Sequence, residues 1–233
     1  MRGLAASIAL LACAACSQQD APADEIVETA EKIVDPSAST SPIANGRYAP
    51  QDTCAKVEGA DEFRRQLAAA VKARDPDAFV ALAASDIKLD FGGGTGTAEL
   101  RKRLGDKSWD LWNELEELMT LGCSANEQGG ITIPWFFDQD LSTVDPVSGM
   151  LVTGENVPVL ADPDAHSRPL ASVSWDIVEI ATLDPESEFQ RVELGDKTVG
   201  FIATDKLRSL LDYRLIASSR NGNWRITSFV AGD

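Results

Sequence analysis

Several groups in this 233-residue chain carry residue types that could do chemistry. Gly92-Gly93-Gly94-Thr95-Gly96 follows a strand-like stretch and opens a helix, the context in which free N–H groups can cradle a phosphate. Glu99 stands where a dinucleotide fingerprint wants a small residue, would repel an anion, and has no Gly-Lys-Ser/Thr to offset it. The loop therefore reads as a flexible turn, and no cofactor is expected. Asp138 and Asp140, and Asp162 and Asp164, sit two apart as in calcium loops. The central glycine and the closing bidentate glutamate are missing, so these read as solvated loops without metal. His166 is the only histidine, which excludes every site built from two imidazoles. With no Gly-x-Ser-x-Gly elbow to supply a nucleophile, no catalytic role follows for it. Glu114, Glu116 and Glu117 could act as general acids, but they stand opposite a Leu and Met stripe and read as a wet helix face. Asp86 and Asp90 are the acids that a small-molecule pocket or a hydrolytic site would use. No catalytic residue is assigned.

Trp135-Phe136-Phe137 is the candidate binding patch, because three large residues in a row cannot all face one side of a strand. Trp109 and Trp112 share a helix surface, whereas Trp175 and Trp224 fall in strands and are expected in the core. After Cys16 only two cysteines remain, Cys54 and Cys123. In an oxidising compartment the simplest reading is one disulfide. Nothing after Cys16 matches C-x-x-C, which argues against a redox site.

The chain carries 21 Lys plus Arg against 37 Asp plus Glu, a formal charge of -16. Phosphate tracking needs a basic surface, so no nucleic-acid partner is expected. Anionic lipid headgroups would also repel the chain. Met1-Arg2-Gly3 is basic, Leu4 to Ala15 is apolar apart from Ser7, and polar residues follow Cys16 at once. Twelve apolar residues make a helix of roughly 18 Å, too short for a hydrocarbon core of about 30 Å, so residues 1–15 read as a secretory signal. Ala14-Ala15-Cys16 resembles the lipobox of bacterial lipoproteins, which implies a lipid on Cys16. Leu10-Leu11-Ala12-Cys13 supplies the preferred leucine and leaves Cys13 as the alternative. The resemblance implies a periplasmic protein anchored to the envelope membrane by that lipid alone.

Residues 16–50 are acidic, carry Pro22, Pro36, Pro42 and a Ser-Ala-Ser-Thr-Ser run, and lack any apolar period. They read as a disordered tether. Residues 51–145 form a helix-rich α+β part. A helix capped by Asp61 buries Phe63, Leu67, Ala70 and Val71; a second starts at Asp75-Pro76; Ile87 to Phe91 is a strand. Thr97 and Ser108 are expected to cap two further helices, and Ile131 to Phe137 reads as an edge strand because of Pro134. Residues 146–208 hold short strands at 150–153, 156–160, 170–173, 175–180, 189–194 and 199–202, the texture of a small barrel or sandwich. Residues 209–233 close on a hairpin turning at Asn221-Gly222 and could complete the sheet of 51–145.

Val152-Thr153-Gly154, Asn156-Val157, Phe189-Gln190-Arg191-Val192 and Gly195 to Ile202 resemble bacterial Src-homology-3-like domains. Pro158, Phe189 and Ile202 replace that family's arginine, tryptophan and valine. The resemblance implies an envelope module without catalysis that binds a protein or cell-wall partner such as peptidoglycan. The flanking helices, strand, Gly-rich turn and Gly-x-Trp-x-Ile hairpin resemble the cone fold of nuclear-transport-factor-like (cystatin-like) domains. Tyr213-Arg214, Gly222-Asn223-Trp224 and Phe229 to Asp233 resemble the ending of a group of proteobacterial proteins. The expected fold class is α+β, a cone-like part of helices and curved sheet combined with a small all-β Src-homology-3-like barrel. The expected function is that of a non-catalytic envelope lipoprotein. The alternative is a small-molecule-binding or hydrolytic accessory protein with its pocket in the cone-like part.

Overall fold

A computed structural model describes residues 45–141 and 143–232. The signal, Cys13, Cys16 and most of the tether lie outside the described residues. The tether reading ran to residue 50, yet Tyr48 and Ala49 are buried. Tyr48 packs beside Trp135, Phe136, Leu151 and Leu210, so the folded part begins before residue 50.

Four α-helices of the described residues stack on one face of a five-stranded sheet. Helix α1, Ala60–Ala73, buries Phe63, Leu67, Ala70 and Val71, the stripe read from the sequence. Its N-cap is Gly59 at φ 75, not Asp61; Asp61 and Glu62 sit in the first turn, where carboxylates favour the positive helix end. Gly59 is required because a Cβ there would lie 2.9 Å from the Trp224 indole nitrogen, which donates to Glu58 O at 3.1 Å. Helix α2, Pro76–Ala81, starts as expected: Asp75 accepts from the Asp77 and Ala78 amides, and proline loses no needed donor.

Strand β1 runs Ala83–Lys88, earlier than the sequence period placed it, because the chain folds back after Lys88. Leu89 N donates to Gly94 O and Gly96 N to Ile87 O. Helix α3, Thr97–Gly105, includes Thr97 as its first residue and does not use it as cap. Ser108 falls within a 3-10 turn capped by Asp106, and helix α4, Leu111–Leu118, follows. The Trp112 indole donates to Leu104 O at 3.1 Å and ties α4 to α3.

The five-stranded sheet has the order β1-β12-β11-β3-β2, with β2 at Ser124–Ala125, β3 at Ile131–Ile133, β11 at Arg214–Arg220 and β12 at Asn223–Val230. β1 runs parallel to β12, and β11 and β12 form a hairpin through Asn221 and Gly222 at φ 53 and 76, as a two-residue primed turn requires. Ile87, Leu100, Leu115, Leu215, Ile226 and Phe229 form the core between this sheet and the helices. A disulfide joins Cys54 to Cys123, with Cα atoms 5.7 Å apart, and ties the segment leading into α1 to the end of the helical layer.

The second sheet has seven strands in the order β10-β4-β7-β8-β9-β5-β6. They are β4 Gly149–Val152, β5 Val157–Leu160, β6 Pro169–Val173, β7 Ile177–Ile180, β8 Phe189–Glu193, β9 Val199–Ala203 and β10 Leu207–Ser209. Every pairing is antiparallel. The sheet has its own core of Met150, Val152, Val157, Val159, Val178, Ile180, Val192 and Ile202. Among the described residues no ladder joins edges β10 and β6, so both sheets are open and the architecture is mixed α+β. β3 pairs directly with β11 although all seven strands lie between them in sequence. The second sheet is thus an insertion into the first. Trp175 stands outside β7 at φ 44 and is half-buried, unlike the strand core residue expected from the sequence.

Candidate functional site

The Gly-rich loop holds an anion of its own. Asp90 Oδ1 accepts from Gly92 N at 2.8 Å and from Gly94 N at 2.7 Å, while its other oxygen takes the Arg103 guanidinium. Arg103 is buried and also reaches Glu99 at 2.9 Å and Leu89 O at 3.1 Å, with its plane 4.4 Å from the Trp109 ring. The Arg103 hydrogen bond, with the Gly94 amide second, holds the Asp90 carboxyl down at about 2. The two amides that a phosphate would need are therefore satisfied internally. Asp90 is a structural carboxylate with its hydrogen-bonding capacity engaged.

A second charged cluster joins the two sheets. Arg208 of β10 lies 5% exposed against the Glu114 carboxylate of α4, with Glu117 at 3.4 Å and Asp212 at 3.6 Å. Its Nη2 also donates to Tyr213 O at 3.2 Å. Burial pushes the Glu114 carboxyl up against the pull of Arg208. The three glutamates thus do not share one wet face. Glu114 is turned in toward the insertion, Glu116 forks with Arg74 at 2.8 Å, and Glu117 is largely solvated. Burial also pushes the Tyr213 phenol up.

The remaining sequence candidates separate. Trp135 and Phe136 are 7% and 3% exposed, inside the cluster with Tyr48 and Leu151, because Trp135–Asp138 is a 3-10 turn and not a continuation of the strand. Phe137 is half-buried, with the Arg214 guanidinium 4.3 Å over its ring. The three therefore form no exposed patch. His166 is exposed, and its amide donates to Asp164. Among the described residues, one group of side chains has metal-ligand spacing, Asp52, Cys54 and Cys123. Its two sulfurs are consumed by the disulfide, so the group does not fit a metal. No helix of the described residues is long and apolar enough to cross a membrane.

The cleft that sequence reading missed lies over the five-stranded sheet, on the face away from the helices. It is a half-open cleft of about 810 Å³ bounded by β1, the start of α3 and the β11–β12 hairpin. Strand alternation builds it: Trp224 and Ile226 point into the core, so Asn223, Arg225 and Thr227 point out, opposite Arg220 and Ser218. Ala83, Ala84, Ser85, Asp86 and Thr97 complete the wall. Of the two acids named from the sequence, Asp86 lines this cleft and Asp90 does not. The alternation of Arg and Ser with apolar residues at 217–227 was the available signal. It marked a half-buried hairpin without saying what lay over its polar side.

No family model, curated protein or solved structure matches this chain.

Proposed function

We propose that this chain is a non-catalytic, lipid-anchored protein of the bacterial cell envelope whose inserted all-β module binds a protein or cell-wall partner. The strand order carries this reading. β10-β4-β7-β8-β9 is a five-strand antiparallel meander with its last strand returned beside its first. The β5–β6 hairpin fills the long loop between its first two strands, and a 3-10 turn at Thr204–Lys206 precedes the last. This is the succession expected of a Src-homology-3-like domain, whose long loops form a binding face. The flanking sheet, with all its helices on one side, supports a cone-like reading for the host part. The Cys54–Cys123 disulfide supports export, since such bonds persist in oxidising compartments.

The test is retention of the purified mature protein on peptidoglycan sacculi and on immobilised envelope proteins, together with the mass of its N-terminal peptide. The expected result is retention on one of the two matrices and a diacylglyceryl mass on Cys16. An unmodified N-terminus with no retention on either overturns the proposal. The cleft bearing Asp86 favours a second reading, a small-molecule-binding protein that uses the cone-like part. Saturable binding of a soluble ligand, weakened in Asp86→Asn, would select it.

A further inference from the structure

Three charged side chains line the cleft over the outer face of the five-stranded sheet: Arg220, Arg225 and Asp86. In a chain with 37 acids to 21 bases, several described arginines find a carboxylate, as Arg64, Arg65, Arg74, Arg101, Arg103 and Arg208 do. Arg220 and Arg225 are in no ion pair among the described residues, and neither is Asp86, although all three share one concave surface. Arg225 is held along its strand by a 2.7 Å hydrogen bond from Nη1 to Trp224 O, which leaves the rest of its fork for a ligand. The lining also carries neutral donors and acceptors, Ser218, Asn223 and Thr227.

We propose that this cleft binds a carboxylate-bearing saccharide. Two guanidinium forks suit the planar carboxylate of a sugar acid, which they can meet in a bidentate way. Asp86 is an acceptor for ring hydroxyls, which a saccharide supplies in number and citrate, with one hydroxyl, does not. The Ser and Thr hydroxyls and the Asn amide both donate and accept, as a polyol requires. A volume of about 810 Å³ lies within the usual range of ligand pockets, roughly 300–1,000 Å³. The proposal goes beyond the envelope-binding reading: it places a ligand on the host sheet, away from the inserted module, and holds whatever compartment the protein occupies.

The test is calorimetric titration of the full mature protein with trigalacturonate, maltotriose and citrate at low ionic strength. Trigalacturonate is expected to bind saturably, with maltotriose and citrate each at least about tenfold weaker, the first for want of the charge-assisted contact and the second for want of the ring hydroxyls. The double variant Arg220→Gln/Arg225→Gln should weaken trigalacturonate by at least about tenfold. Asp86→Asn should weaken it by a smaller factor. Arg168→Gln, on the inserted module, should leave it unchanged. The arginines are exposed, so circular dichroism should show the double variant folded like the parent. No trigalacturonate binding, maltotriose or citrate binding as tightly, or an unaltered affinity in the double variant overturns the proposal. Sacculus retention fails or succeeds independently of this titration, so the two readings stand or fall apart.

Discussion

Arg208 in the last strand of the insertion lies against Glu114 in the last helix of the host, 94 residues earlier in the chain. Together with Glu117 and Asp212 on the same guanidinium, it ties the inserted sheet to the host, and the Arg208 side chain is almost wholly removed from water. A buried ion pair of this sort adds little net stability relative to apolar packing, but removing one partner leaves an uncompensated charge. Arg208→Met should therefore destabilise the protein by about 3–5 kcal/mol, read from the urea midpoint. Arg208→Met/Glu114→Leu should cost less than the two single changes summed, because the pair fails as a unit. Additivity within about 0.5 kcal/mol would contradict the coupling.

Two carboxylates should give the pH dependence of stability opposite slopes. Asp90 is held at about 2 in the fold against 3.8 unperturbed, so its contribution is fully present above pH 3.8 and disappears as pH falls toward 2. Glu114 is raised above 4.5, so its contribution is fully present below pH 4.5 and is lost as pH rises through its folded value. Urea midpoints measured from pH 2 to 7 check both. Asp90→Asn should flatten the fall below pH 3.8, and Glu114→Gln should flatten the decline just above pH 4.5.

The sequence period located α1 and α2 and nearly all strands of the insertion, because each has an apolar stripe facing a core close to it in sequence. It misplaced β1, since Leu89 and Phe91 continue the alternation while backbone hydrogen bonds to Gly94 and Gly96 turn the chain back. It offered Trp135-Phe136-Phe137 as a patch, since the partners that bury them, Tyr48, Leu151 and Leu210, are far away in sequence. The same holds for the clusters. From sequence alone Glu99 is a charge that repels an anion, whereas its partner Arg103 lies one turn on and serves Asp90 as well. Arg220 and Arg225 gain meaning only once β1 is laid beside β12, a pairing across more than a hundred residues that no local pattern encodes.

Gly94 should not tolerate a side chain. A Cβ there would lie 2.0 Å from Asp90 Oδ2 and 2.3 Å from Arg103 Nη2, so Gly94→Ala must push apart the ion pair that closes the loop. A loss of about 1–3 kcal/mol is expected, as for overpacking elsewhere. Gly105→Ala is the control: it lies at the end of α3 with nothing within 4 Å of the added carbon, and should be neutral or stabilising by up to about 1 kcal/mol. Equal effects at both positions would mean that Asp90 and Arg103 do not enforce the glycine.

Opening the Cys54–Cys123 bridge should loosen the unfolded chain more than it alters the native contacts. Both cysteines are buried, and their strands stay linked by Cys123 N to Gln51 O at 2.8 Å and Thr53 N to Cys123 O at 2.9 Å. The bridge closes a loop with a sequence separation of 69, for which the chain-entropy account gives about 4 kcal/mol. Cys54→Ala/Cys123→Ala should therefore keep the native circular dichroism and lower the urea midpoint. It should also steepen the denaturant dependence, since the freed unfolded chain exposes more surface. A drop in stability with unchanged slope would place the effect in the native packing around the two sulfurs instead.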